Sequence, residues 1–213
     1  MTWLLTQNKM CHTWLAATRN AFHGFSESAR QRAAETLRLS DERGAWGNAT
    51  LAFAQAGDAV KAEKLIGDLD REYPSDTTET YVYSPAVRAL VLLHRNEAAQ
   101  AVAALEPVRK YDLAFPISNI TFAGMYVRGL AYLQAKDGVK AAGEFQQILD
   151  HNGLNTASVF LPLAQLELGR AYALQGDKNK ARTAYQDFFA VWKEADADVP
   201  VLIEAKAEYA KLK

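Results

Sequence analysis

A chain of 213 residues, 49% hydrophobic and 23% charged, has the length and composition to bury an ample core. Its 24 basic and 25 acidic residues leave a net charge of −1, so there is no global field to draw in nucleic acid or an anionic membrane. Cys11 is the sole cysteine, which excludes an internal disulfide and a cysteine-built metal site.

The opening stretch, Met1 to Lys9, lacks the basic start and the sustained apolar run of a signal peptide. No later stretch approaches the ~20 apolar residues that a membrane-crossing helix needs. These features predict a soluble segment, cytoplasmic by default, and leave open whether it is the extracytoplasmic part of an anchored protein.

From there the chain is organised by five alanines, Ala29, Ala62, Ala101, Ala141 and Ala181, at intervals of 33, 39, 40 and 40 residues. Each follows a short polar turn and precedes an amphipathic run, as in stacked helix pairs. Units then begin near residues 10, 43, 82, 122 and 162. Twelve residues before each alanine stand Ala17, Thr50, Ala89, Gly129 and Gly169, all small, where two helices must approach closely. Four after it stand Ala33, Ile66, Leu105, Phe145 and Tyr185, mostly large. The first unit fits worst, as expected of an end repeat with one neighbour.

Helix formers fill the runs 44–56, 59–72, 86–95, 97–106, 123–135, 139–150, 161–175 and 178–193. Gly57, Gly138 and Gly176 supply permissive dihedrals at the turns within pairs, and Asp58 and Asp177 cap the second helix. Between pairs, 73–78, 114–119 and 151–156 carry proline, glycine and asparagine and read as loops. A last helix over 201–212, with Leu202, Ala205, Tyr209 and Leu212 on one face, covers the open end of the stack. The prediction is all-α: one domain over 1–213, a right-handed superhelical solenoid of about five hairpins plus a C-terminal capping helix.

In this register Gly129, Tyr132, Ala141 and Phe145, and likewise Gly169, Tyr172, Ala181 and Tyr185, match a small, aromatic, alanine, aromatic pattern. The chain thereby resembles the tetratricopeptide repeat superfamily over about residues 10–195, departing from its common 34-residue period in the last three intervals. The stretch from Gly169 through Asp196, with the closing Glu204 to Leu212, looks like the C-terminal repeat region of bacterial proteins that carry a serine/threonine kinase or a winged-helix domain upstream. The resemblance implies a non-catalytic protein-interaction or regulatory domain, most simply of a kinase-type signalling protein. The alternatives are the repeat part of a winged-helix regulator, a stand-alone scaffold, or a small-ligand receptor or enzyme built in the groove.

No catalytic, metal or cofactor site is predicted. The histidines His12, His23, His94 and His151 are too scattered to form a ligand pair on one helix turn. There is no glycine-rich phosphate loop, and Asp187-Phe188-Phe189 lacks the glycine of a kinase metal motif. Trp14, Tyr83 and Tyr126 fall at offsets that line the concave groove of tetratricopeptide arrays, as does Arg170, while Arg88 and Arg128 occupy equivalent positions in successive units. Together they form the predicted surface for a protein or peptide, by aromatic anchoring and charge-assisted hydrogen bonds. The competing expectation is that the arginines pair with local acids. Direct nucleic-acid binding is not expected, and self-association is left open.

Overall fold

The computed structural model describes residues 13–114 and 120–212. Cys11, His12, the start of the first unit and all but Ala114 of the predicted loop 114–119 lie outside them. The described residues are helical throughout, with no strand, and form two compact units, one ending at His94 and the other beginning at Arg95.

The first unit holds a helical run over 13–22 (α1), then α2 (Ser26–Leu39), α3 (Arg43–Gln55), α4 (Ala59–Glu72), a π-helical turn (Glu79–Tyr83) and α5 (Ser84–His94). Here α3 packs on α2, α4 and α5, and the π turn seats on α3 and α4. The second unit holds α6 (Ala98–Leu105), a 3-10 turn (Glu106–Tyr111), α7 (Ala123–Gln134), α8 (Gly138–Asp150), a short 3-10 turn (Asn152–Leu154), α9 (Phe160–Leu174), α10 (Lys178–Val191) and α11 (Pro200–Ala210). Each of these helices packs on the next, and α9 also packs on α7. Contact between helices one apart and two apart in sequence is the pattern of stacked helical hairpins.

The ladder read from sequence is the core. All five alanines are fully buried. A Cβ added to Gly129 would come within 2.5 Å of the Phe145 ring, and one added to Gly169 within 2.9 Å of the Tyr185 ring. The small position of one helix is therefore the socket for the large position of the next.

The turns follow one template. The residue five before each alanine, namely Gly24, Gly57, Asn96, Lys136 and Gly176, has a positive φ between 61° and 92°. In four turns the next amide donates to the carbonyl five residues back: Phe25 to Asn20, Asp58 to Phe53, Asp137 to Tyr132 and Asp177 to Tyr172, at 2.8–3.0 Å. This is the Schellman closure that satisfies the last carbonyls of a helix. Asp58, Asp137 and Asp177 then cap the following helix, their carboxylates accepting from the amides of Lys61, Lys140 and Lys180.

Gly138 differs from expectation. The left-handed residue of its turn is Lys136, and Gly138 opens α8. Its glycine serves a close approach, because a Cβ there would stand 2.8 Å from the Ala171 carbonyl oxygen of α9. The Gln175 side chain donates to the Gly138 carbonyl at 2.8 Å.

The capping helix is present, with Val201, Leu202 and Ala205 buried and Tyr209 and Leu212 half-buried. The π turn was not expected from the sequence, which places the start of a unit at residue 82.

Candidate functional site

Three of the six residues predicted to face a partner are sealed inside their units. Tyr83, 4% exposed, lies across Gly47 of α3, where an added Cβ would fall 2.7 Å from its ring. Its hydroxyl accepts from the Asn48 side chain at 2.6 Å and donates to the Gly44 carbonyl at 3.3 Å. In the second unit Tyr126 packs on Phe145 and Phe160 with ring centroids 5.8 and 5.0 Å apart. Arg128 is fully buried, and its guanidinium meets Asp112 at 2.5 Å and Glu144 at 2.7 Å. A partner cannot reach these three side chains in this conformation, which corrects their placement on an open groove.

The others remain accessible in part. Trp14 is half-buried on α1. Arg88, half of whose side chain is exposed, pairs with Asp70 at 2.6 Å and donates to the Ser84 hydroxyl at 3.1 Å. Arg170 bonds Glu167 at 2.7 Å and Glu208 at 2.9 Å, with Glu204 at 3.6 Å, so it ties α9 to the terminal helix. The local pairing of the arginines, held above as the competing expectation, is the arrangement observed.

These networks have their own electrostatics. Burial works against the charge of Arg128, but hydrogen bonds to Glu144 and Asp112 outweigh it and hold the guanidinium above its ordinary pKa. Burial, joined by the neighbouring Glu144 charge, pushes Asp112 up despite Arg128. Around Arg170, burial raises Glu167 despite the arginine, and burial together with Glu167 raises Tyr126 well above the usual phenol. Tyr185 is likewise raised, by burial and by the hydrogen bond it donates to Glu208 at 2.8 Å. A desolvated pair whose lone pairs and N–H groups are all engaged orients helices against one another. None of these shifted groups lines the cleft between α8, α9 and α10.

This open cleft of about 520 Å³ is in the second unit, where α9 lies between α8 and α10. Its walls carry Gln146, Gln165, Asn179 and Thr183, and its apolar floor is Leu168 and Tyr172. Gln165 donates to Asp187 across it at 3.2 Å. Tyr172, which the alanine register assigns to the core, is half-buried here, and the Lys180 ammonium stands 5.4 Å from its ring centroid. The sequence carried a signal for this arrangement. Lys61 over Phe53 and Lys140 over Tyr132 repeat it, one residue and nine residues before the alanine.

Among the described residues no cluster of histidine, cysteine and carboxylate could hold a metal ion, and no helix is long and apolar enough to cross a membrane. His94 and His151 instead close local structure, facing the Gln55 carbonyl at 3.2 Å and the Gln147 carbonyl at 2.8 Å. His23 is held down at about 4 by burial and by Arg19.

By class, the described chain is an all-α protein built from helical hairpins in a repeating register. Over 130 residues, 61% of its length, it is 30% identical to the TPR repeat-containing protein YpiA of Bacillus subtilis (strain 168). The match spans 26% of that relative's length. No protein-family model matches the chain, and no solved structure matches it. The likeness and the hairpin register agree on tetratricopeptide-like helical repeats.

Proposed function

We propose that this chain is a non-catalytic protein-interaction domain whose repeats hold a protein or peptide partner. The observation that carries the reading is the distribution of chemistry in the second unit. Perturbed acids and phenols are enclosed in helix packing, while the open cleft offers amide and hydroxyl groups, with Lys180 and Asp187, beside apolar Leu149, Leu168 and Tyr172. Such a lining suits the backbone of an extended peptide with one apolar side chain on Leu168 and Tyr172. Arg88 and Trp14 are further contacts of the first unit in this reading. The relative's name, a TPR repeat-containing protein, supports the same class of function.

The finer reading, regulation of a bacterial serine/threonine kinase-type protein, rests on the C-terminal sequence likeness alone, and so does its winged-helix alternative. Both concern domains outside this chain.

A photo-reactive side chain placed at Thr183 tests the cleft. It should crosslink a protein from an extract of the source organism, and the purified partner should then bind a Tyr172→Ala, Gln165→Ala double variant at least tenfold more weakly, roughly the loss of one good contact. Equal affinity of variant and wild type would refute the cleft as the binding surface.

A further inference from the structure

Among the described residues one side chain has buried polar atoms without a hydrogen-bond partner. It is Glu79, fully buried, with neither carboxylate oxygen satisfied. It opens the π-helical turn Glu79–Tyr83, itself a departure from ordinary helix, closed by the Ser84 amide donating to the Glu79 carbonyl.

The charged groups around it are already committed. Asp70, from α4, is held by Arg88 of α5 and accepts from the Ser84 hydroxyl. Asp76, from the preceding loop, pairs with Arg43 of α3, and it accepts from the Glu79 amide at 2.8 Å. Two guanidiniums therefore serve two carboxylates, and an ionised Glu79 would be a third anion, offset only by Arg43, which Asp76 already holds. Leaving a buried charge uncompensated is among the costliest arrangements in a protein.

We propose that Glu79 is a proton-operated latch: as a neutral acid it seats the Glu79–Tyr83 turn on α3 and α4, and on losing its proton it leaves that seat and unwinds the turn. Tyr83, at the other end of the turn, then lifts from its slot over Gly47. The aromatic side chain that the sequence offers as a partner anchor thus becomes available only in the ionised state.

Burial, reinforced by Asp70 and Asp76 and opposed by Arg43, pushes the Glu79 carboxyl up from 4.5 to about 7. Because the seated pKa is the higher one, the seat is at full strength below 4.5 and is lost as pH rises through 7. One proton is released on opening, so the opening constant grows about tenfold per pH unit across that window, roughly 300-fold in all, and levels off above it.

The test uses the whole chain, with isotope-detected titration of the Glu79 carboxyl and amide exchange of the turn corrected for base catalysis. The carboxyl should titrate well above 4.5, and protection of the turn amides should fall with that slope. In Glu79→Gln and Glu79→Leu the protection should be independent of pH. A carboxyl titrating at its ordinary value, or a wild-type pH profile retained in either variant, would overturn the latch. The wild-type titration decides the question even if neither variant folds.

Discussion

Lys136 occupies a backbone position that three of the other four turns give to glycine, which makes Lys136→Gly a stabilising substitution. Its φ is 62°, against 82° and 80° at the equivalent Gly57 and Gly176, and its side chain is exposed. Holding an L-residue in the left-handed region costs about 1–2 kcal/mol, because Cβ crowds the following carbonyl. Glycine removes that cost but gives up about 0.5–1 kcal/mol through the greater freedom of the unfolded chain. The balance is a gain of about 0.5–1 kcal/mol, since no buried contact is lost with the lysine. Urea unfolding followed by circular dichroism should show a higher midpoint at unchanged slope. The reverse change, Gly57→Ala, should lower the midpoint, because its backbone keeps φ at 82° and alanine must then bear the strain. An unchanged or lower midpoint for Lys136→Gly, with Gly57→Ala silent, would refute the shared turn template.

Gly138→Ala should destabilise by about 1–2 kcal/mol despite alanine's better helix propensity, because the new methyl meets a backbone oxygen that cannot rotate away; the same unfolding measurement checks it. Arg128→Met takes from Asp112 its guanidinium partner and leaves Glu144 with Arg109 alone, at 2.8 Å, while keeping most of the volume, and should cost about 3 kcal/mol. Adding Glu144→Gln to that variant should recover part of the loss, and a double-mutant cycle without such coupling would show that Arg128 acts through packing alone.

The hairpin register was legible because it rests on volume. Gly129 against Phe145 and Gly169 against Tyr185 are steric pairs, and steric pairs appear in the sequence as small and large residues at fixed offsets. Helix ends were legible for a similar reason, since Asp58 and Asp177 announce their caps. The turn position of Lys136 was hidden, because the nearby Gly138 drew the reading and its true role depends on α9, whose register against α8 no local signal reveals. Tyr83 and Tyr126 were misplaced on an open face for a related reason. An aromatic residue at a groove offset is exposed only if nothing else fills the space above it. Here Gly47 opens a slot for Tyr83, while Phe145 and Phe160 enclose Tyr126.

The lysine–aromatic pairs at three of the hairpin turns show how one local device serves both fold and surface. In each, an aspartate four residues before the alanine fixes the first turn of a helix by accepting the amide of the lysine. That bond orients the lysine so that its ammonium stands over the aromatic ring that ends the preceding helix, at 4.2–5.4 Å. Each ring thereby carries a flexible, hydrated side chain on one face. Where the ring is Phe53 the cover completes a core residue, 1% exposed. Where it is Tyr172 the ring stays half-buried and lines the cleft. A lysine stem can swing aside at a cost of about 0.5–1 kcal/mol for an exposed cation–π contact, far less than separating two helices. On the interaction reading proposed above, that stem is what gives way to a partner over Tyr172, while the stack beneath it stays in place.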